Sequence, residues 1–200
     1  MVDKNFINQI VKSHFKVEGT VTIDDQGIVH VAGQVGTKHR MDHLPVKFGR
    51  VDGDFYCEEA DLLSLEGAPT HVGKDFWCQY NRLTSLAHAP EVVGESFMCY
   101  YNQLTTLEHG PTHVGSEYKC YGNKLINLNG LPSHIPDTLM FTYQDVLPLL
   151  RALGANQLDI IDVPDKVLSI LLKYRGQGKP GAIKAAAELI RAGYKENARW

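Results

Sequence analysis

Residues 73–93 read GKDFWCQYNRLTSLAHAPEVV, and this 21-residue pattern occurs four times in succession between about Asp54 and Pro136. Six columns of the repeat keep one residue type or a close substitute: Phe55, Phe76, Phe97 and Tyr118; Cys57, Cys78, Cys99 and Cys120; Leu62, Leu83, Leu104 and Leu125; Leu65, Leu86, Leu107 and Leu128; Pro69, Pro90, Pro111 and Pro132; and Val72, Val93, Val114 and Ile135. A fixed period of about 20–50 residues is typical of solenoids, in which each repeat buries its apolar side only against its neighbours. The repeat therefore predicts a solenoid, and solenoids usually present surfaces for binding.

The middle of each repeat indicates how the chain turns. The order apolar-x-apolar-x-x-Asn-x-Leu has Asn81, Asn102 and Asn123 in three copies and Ala60 in the first, and it is similar to the strand-and-turn half of a leucine-rich repeat. A tight turn leaves backbone N–H and C=O groups unpaired, and stacked amide side chains can pair them. We therefore expect an α/β solenoid of leucine-rich-repeat type, with four 21-residue coils over residues 54–136.

Residues 1–53 are predicted to cap the first coil. Apolar spacing between residues 3 and 15 indicates a short amphipathic helix, and the alternation on both sides of Gly27 indicates a β-hairpin. Residues 34–53 resemble a degenerate repeat whose apolar positions fall one period before the first full copy: Met41, Leu44 and Val51.

Residues 137–200 are predicted to form a helical cap over the last coil. Helices are expected over 146–153, over about 163–174 after an N-cap at Asp162, and from about Pro180 to Gly193. The last of them is expected to carry one apolar face: Ile183, Ala186, Ala187 and Ile190.

The composition indicates a globular protein in a reducing compartment. Hydrophobic residues make up 44% and charged residues 22%. No stretch approaches about 20 apolar residues, and the N-terminus lacks the apolar core of a secretion signal. The four cysteines share one column, which favours apolar packing over a disulfide framework. Stacked strands lie about 4.8 Å apart, within reach of a disulfide, so oxidation stays open.

Charge is distributed unevenly along the chain. Residues 54–136 hold ten Asp/Glu and four Lys/Arg, a balance of −6, whereas residues 173–200 hold seven Lys/Arg and two Glu, a balance of +5. An acidic middle favours a basic partner and a basic tail favours an anionic one.

The wider order of segments resembles a known family. A helix, a hairpin ending VHVAG at 29–33, the segment LPVKFGRV at 44–51, and repeats of the form Val-Gly-x-x-Phe-x-Cys-x-x-Asn-x-Leu-Thr-Ser-Leu are similar to a leucine-rich-repeat family encoded by tailed bacteriophages. The resemblance spans about residues 5–136. It implies a non-structural phage product acting in the bacterial cytoplasm, and it implies no catalytic residues.

Columns that vary while the scaffold repeats point to a binding surface. Alternation along each strand directs the residue after each Phe outward, together with the two residues after each Cys. Exposed clusters of Tyr, Trp and Met are typical of interface cores. Self-association through the patch and cover by the flanking helices are the alternatives. The predicted partner-binding residues are Tyr56, Glu58, Trp77, Gln79, Tyr80, Met98, Tyr100, Tyr101, Lys119 and Tyr121.

Residues 173–182, KYRGQGKPGA, form a glycine-rich basic loop that opens the last predicted helix. The free N–H groups of a helix start can bind an anion, and the candidate residues are Arg175, Lys179 and Lys184. The loop lacks the spacing of a nucleotide-binding loop, so a solvated turn is the alternative.

Other functional sites are not indicated. Two columns of histidines do not make a good metal site: His71, His113 and His134, and His88 and His109. His71 lies about 10 Å from His113, and the two ligands that could meet, His113 and His134, are too few. No Ser/His/Asp or Cys/His set can be placed together, so we expect no enzyme activity, no metal and no cofactor.

Together these features predict a non-catalytic cytoplasmic recognition protein, and the phage resemblance implies that it acts in the host bacterial cytoplasm. It is expected to bind a host or defence protein through the aromatic surface, without membrane contact. The alternative is a nucleic-acid or nucleotide binder that stacks bases on the Tyr/Trp face and pairs phosphates with the basic tail. The acidic repeats count against that alternative, and an enzyme with a site between the repeats and the helices is a third.

Overall fold

The Phe-x-Cys segments of the repeat form short strands that stack in parallel, because they alternate between an inward and an outward side. The computed structural model describes residues 2–200 apart from the side chain of Pro136, and it is a parallel β-solenoid of about six turns with few helices. Its helices are α1 (Lys4–His14), α2 (Asp165–Tyr174) and α3 (Gly178–Arg191), with short 3-10 helices at Leu150–Gly154 and Glu196–Ala198. Its strands are β1 (Phe15–Ile23), β2 (Val29–Thr37), β3 (Phe48–Val51), β4 (Phe55–Tyr56), β5 (His71–Val72), β6 (Phe76–Trp77), β7 (Val92–Val93), β8 (Phe97–Met98), β9 (His113–Val114), β10 (Tyr118–Lys119), β11 (Ile135–Thr142) and β12 (Ala155–Ile161).

Two parallel ladders run along the solenoid. The Phe ladder consists of β4, β6, β8 and β10, and the Val ladder consists of β3, β5, β7 and β9. Strand β2 begins both of them, since Val35 pairs with Phe55 and Val29 pairs with Phe48. The hairpin of β1 and β2 is therefore more than the predicted cap, because its second strand is the first turn of the solenoid.

The repeats contain no helix, which corrects the predicted α/β class. Between residues 48 and 134 the structure has only strands, turns, bends and irregular segments. Each turn of the solenoid has only 21 residues. Within them the chain crosses the width of the solenoid once along a strand and then crosses back. A helix advances only about 1.5 Å per residue, against about 3.3 Å for an extended segment, so the return segment stays extended.

The core is a column of rings with thiols and leucines beside it. Phe55, Phe76 and Phe97 stack with ring centroids 5.6 and 5.7 Å apart and nearly parallel planes, and Tyr118 continues the column. The cysteine column and the two leucine columns are fully buried beside these rings. The Val column is buried as well, so the Phe, Cys, Leu and Val columns are packing residues, as the period indicated.

The four thiols are expected to be unreactive in the folded protein. All are buried and free, and burial raises the pKa of each thiol above its usual range. Since the thiolate is the reactive form, an aromatic disulfide reagent should modify them slowly under native conditions and quickly in guanidinium chloride. Four rapidly modified thiols in native protein would contradict the inward placement of this column.

An asparagine ladder supports the turn that follows each Phe-x-Cys strand. The Asn81 amide nitrogen donates to the carbonyls of Cys57 and Cys78, and its oxygen accepts from the N–H groups of Ala60 and Leu62. Asn102 and Asn123 repeat this pattern one and two turns later. The expected pairing of backbone groups by stacked amides is confirmed.

A glycine column brings the corners of successive turns together. Gly73, Gly94 and Gly115 each follow a strand of the Val ladder, and the Gly94 N–H donates to the Val72 carbonyl at 2.9 Å. A Cβ on Gly94 would clash with the backbone carbonyl of Gly73, and one on Gly115 would clash with that of Gly94. Only a residue without a side chain fits at this corner.

The solenoid continues beyond residue 136, so the predicted four coils were too few. Strand β11 pairs in parallel with β10, with Tyr118 opposite Leu139 and Lys119 opposite Met140, and β12 pairs in parallel with β11. Leu139 therefore stands one 21-residue period after Tyr118, and Phe141 one period after Cys120. The period hid this turn because Leu and Phe replaced the residue types of both columns.

The C-terminal segment is consequently mixed rather than helical. The predicted helix over 146–153 is a five-residue 3-10 helix at Leu150–Gly154. Asp162 is not an N-cap; it has a φ of 61°, and Pro164 occupies the N-cap position of α2.

Helix α3 buries a different face from the predicted one. Ala182, Ala185 and Leu189 are buried, whereas Ile183 and Ile190 are exposed by 63% and 54%. Small residues on the inner face allow α3 to approach α2 closely. The size of the apolar side chains in the sequence did not indicate that this face would be the buried one.

Among the described residues no helix is both long and apolar enough to span a membrane.

Candidate interaction surface

The residues that point outward from the Phe ladder form one continuous surface, which we call the aromatic face. Tyr56, Trp77, Met98 and Lys119 lie side by side in paired positions on β4, β6, β8 and β10. The second column holds Glu58, Gln79, Tyr100 and Tyr121, and the third holds Glu59, Tyr80, Tyr101 and Gly122. The structure thus brings together all ten predicted partner-binding residues.

Four tyrosines form a compact cluster on this face. Tyr100 stacks on Tyr121 with ring centroids 4.6 Å apart, and Tyr80 stacks on Tyr101 at 5.0 Å. The two stacks meet edge to face at 5.3–5.9 Å. These are favourable aromatic geometries, so the rings hold one another in place.

The backbone beneath the exposed tyrosines is in the left-handed region. Tyr80 and Tyr101 have φ values of 54° and 49°, and Gly122 occupies the same column with a φ of 65°. Glycine adopts this conformation without a steric penalty, whereas a bulky residue does not. The turn itself therefore does not need an aromatic side chain at positions 80 and 101. Backbone strain of this kind is often concentrated at functional sites.

The aromatic face is less exposed than the sequence predicted. Tyr80 and Tyr101 are each 48% exposed, but Gln79 and Met98 are buried, with 3% and 8% of their surface accessible. The other six predicted residues are half-buried. Side chains on neighbouring turns stand only about 4.8 Å apart and cover one another. The exposure of Tyr80 and Tyr101 also shows that the flanking helices do not cover this part of the face.

Carboxylates around the aromatic face support the solenoid and make the face acidic. The Asp54 and Asp75 side chains accept hydrogen bonds from the backbone N–H groups of Asp75 and Ser96, so they support the solenoid. Burial, with the nearby Glu59 charge, raises the pKa of Glu58. Burial and a hydrogen bond from its hydroxyl to Asp54 raise the pKa of Tyr56 to about 12. Lys119 is paired with Glu117 at 2.6 Å, so the face keeps its acidic character.

Three polar atoms on the aromatic face are buried without a hydrogen-bond partner: Glu58 Oε2, Trp77 Nε1 and Gln79 Oε1. Across the described residues only two other side-chain atoms share this condition, Tyr118 Oη and Arg151 Nε. Sequence reasoning did not find this group, because no local pattern shows whether a side-chain atom has a partner one turn away.

The predicted anion-binding residues do not converge on one cavity. A cavity of about 530 Å³ lies beside the start of α3, and Lys179 lines it together with Arg151 and Gly178. Arg175 and Lys184 are not among its lining residues. A second cavity, of about 620 Å³, lies at the N-terminal end against His30, Arg50 and His71. No local sequence pattern indicates this second cavity, since its walls come from separate turns.

The histidine columns form no metal centre. In the described part of the chain no three His, Cys, Asp or Glu side chains are arranged to hold a metal ion.

Comparison of the chain with models of protein families, with curated proteins and with solved structures finds no match. The geometry of the site is therefore the basis of the functional assignment.

Proposed function

We propose that this chain is a non-catalytic recognition module that binds a protein partner through the aromatic face. The single observation that carries the proposal is the tyrosine cluster, whose outer rings, Tyr80 and Tyr101, are half-exposed on left-handed backbone that a glycine would occupy with less strain. The core is complete without them, since the Phe, Cys and Leu columns fill it. Aromatic residues held rigidly on a surface are the usual centre of protein interfaces.

The proposal includes the origin of the protein. The asparagine ladder and the order of segments support a repeat of leucine-rich type, related to the family encoded by tailed bacteriophages. Such a protein acts in the cytoplasm of the host bacterium, where a host or defence protein is the expected target. The acidic repeats favour a partner with a basic surface.

Removal of the outer rings should abolish binding without unfolding the protein. The full chain is immobilised and exposed to nuclease-treated bacterial lysate, and the captured partner is identified and titrated. Truncation at the centre of an interface typically costs about 2 kcal/mol or more, so Tyr80→Ala and Tyr101→Ala should each weaken affinity by about thirtyfold. Their melting temperatures should change by less than about 4 °C.

Phe6→Ala is the matched control, because Phe6 is an exposed aromatic residue (59%) on α1, outside the face. It should leave capture unchanged. Undiminished capture by a Tyr80→Ala/Tyr101→Ala double variant would contradict the proposal. A wild-type dimer in sedimentation that dissociates in the Tyr101→Ala variant would show instead that the face joins two copies of this chain.

A second candidate function is nucleotide or nucleic-acid binding at the start of α3. It is favoured by one observation, the cavity beside the start of α3 that two basic residues, Arg151 and Lys179, both line. Under this alternative, capture would be lost after nuclease treatment, and Lys179→Ala would reduce the salt dependence of binding by about one unit of slope. Under the main proposal, neither nuclease treatment nor the Lys179→Ala substitution changes capture of the partner.

A further inference from the structure

The cavity of about 620 Å³ at the N-terminal end lies on the Val-ladder side of the first turns, and we call it the first-turn cavity. The lining residues that the structure describes are all outside the aromatic face. Much of the wall is apolar and includes Ile28, Phe48, Ala68 and Ala89. A concave site of this size, with apolar walls and a few polar groups, is typical of binding sites for small molecules.

The first-turn cavity lies where the chain departs from the repeat. Lys47 falls one period before Ala68, in a column whose next three members are Ala, Ala and Gly. Gly49 falls one period before Thr70, and the Thr70 N–H donates to the Gly49 carbonyl. A Cβ on Gly49 would clash with the His30 ring. The first turn therefore adds a cation to the wall and omits a side chain where the His30 ring lies.

The polar part of the wall is suited to an anion. Arg50 is held from two sides, since its backbone N–H donates to His30 Nδ1 at 3.2 Å and its Nε donates to Asp52 at 2.7 Å. Its two terminal nitrogens have no hydrogen-bond partner among the described residues. Lys47 and three histidines line the same cavity, and Glu66 is the one acid among the described lining residues. In a repeat region with a balance of −6, this wall is a local concentration of cationic groups.

A neighbouring cavity of about 500 Å³ extends the site along α1. The residues that line both cavities are Ile28, Lys47, Glu66 and Gly67. Beyond them the wall is largely apolar, with Phe6 and Ile10 on one side and Leu44 on the other. Phe6 is 59% exposed, so a ligand in this cavity would cover apolar surface that now faces water. The two cavities adjoin and form one groove, which is apolar along α1 and cationic at Arg50.

We propose that this groove binds a chain-like organic anion, the carboxylate of a fatty acid. The carboxylate lies at Arg50 and Lys47, and the hydrocarbon chain passes Ile28 towards Phe6 and Ile10. The terminal nitrogens of an arginine match the two oxygens of a carboxylate. The apolar wall favours a hydrocarbon chain over a nucleotide, whose sugar and base would be left without polar partners there. The inference goes beyond the recognition function and does not depend on it.

Calorimetric titration of the full chain with dodecanoate, kept below the concentration at which micelles form, tests the site. Saturable binding of one molecule per chain is expected. Octanoate has a shorter chain, and its affinity should be lower by about threefold for each methylene removed. Dodecyltrimethylammonium has the same chain length and the opposite charge, and it should bind about tenfold or more weakly than dodecanoate. Equal affinity for the carboxylate and the ammonium compound would overturn the inference.

Two pairs of variants test the two ends of the groove. Arg50→Gln should weaken dodecanoate binding by about tenfold or more. Arg82→Gln removes the same charge from an exposed position that lines neither cavity, and it should have little effect. Phe6→Ala should weaken binding by about threefold or more. Ile126→Ala removes apolar surface from a position that is 58% exposed outside the groove, and it should have none.

All four positions are exposed, so the melting temperatures should stay within about 2 °C of that of the parent. Equal effects of Arg50→Gln and Arg82→Gln would overturn the inference.

Other occupants of the groove would give different results. A dimer in sedimentation that Phe6→Ala dissociates would show that a second copy of this chain covers the groove. Binding to phosphatidylglycerol vesicles without binding to monomeric dodecanoate would show contact with a lipid surface. Either result would overturn the inference. The Tyr80→Ala/Tyr101→Ala protein should bind dodecanoate as the parent does, since neither tyrosine lines the groove.

Discussion

Gly94→Ala is expected to destabilise the solenoid by about 3 kcal/mol or more, because the new Cβ would clash with the backbone carbonyl of Gly73. The obstructing atom belongs to the backbone of the preceding turn, so no side-chain rotation can relieve the clash. Moving that backbone would break the Gly94 N–H bond to the Val72 carbonyl and disturb the next corner at Gly115. Urea unfolding followed by circular dichroism measures the effect.

Gly36→Ala is the matched control for this prediction. A Cβ on Gly36 would lie 3.6 Å from the Tyr56 side chain, which is an ordinary contact. The change also reduces the conformational freedom of the unfolded chain, so it should be neutral or stabilise by up to about 1 kcal/mol. Equal stability of the Gly94→Ala and Gly36→Ala proteins would show that the turns are not stacked as closely as the structure indicates.

Truncation after residue 136 is expected to give insoluble protein. It removes most of β11 and all of β12, so β10 loses the partners Leu139 and Met140. Side chains that are now fully buried at this end, such as Tyr118 and Leu125, would face water. An open strand edge next to an exposed apolar core promotes aggregation. The soluble fraction after expression, compared with that of the full chain, measures the effect.

The charge variants Lys179→Ala and Lys184→Ala test whether the tail contributes to folding through its charges. Both lysines are exposed on α3, and neither has a resolved ion pair in the described structure, so both proteins should be soluble and as stable as the parent. A soluble 1–136 fragment with a cooperative thermal transition would contradict the role assigned to β11 and β12.

Part of the candidate site could be predicted from the repeat. Tyr80, Tyr100, Tyr101 and Tyr121 were placed on one side because the side-chain direction alternates along a strand and the period brings equivalent positions together. The burial of Gln79 and Met98 could not be predicted in this way. The exposure of a side chain on the face depends on the length and rotamer of its neighbours one turn away, which are distant in sequence.

The same distinction applies to the helical end. The start and end of α2 and α3 are marked by local signals, Pro164 and Gly193, and these were approximately correct. The buried face of α3 was not, because Ile183 and Ala182 are equally compatible with a helix, and only the close approach to α2 selects the alanines.

The sequence by itself determined the solenoid, the inward Phe, Cys, Leu and Val columns and the asparagine ladder, because each is a local pattern repeated at a fixed interval. Tertiary structure alone decided that β11 and β12 extend the solenoid, since Leu139 and Phe141 fill columns that had held other residue types. It also decided that the return segments stay extended and that Glu58, Trp77 and Gln79 lack partners. Hydrogen-bond satisfaction and burial are properties of side chains from different turns in contact, and no single stretch of this chain contains both members of such a contact.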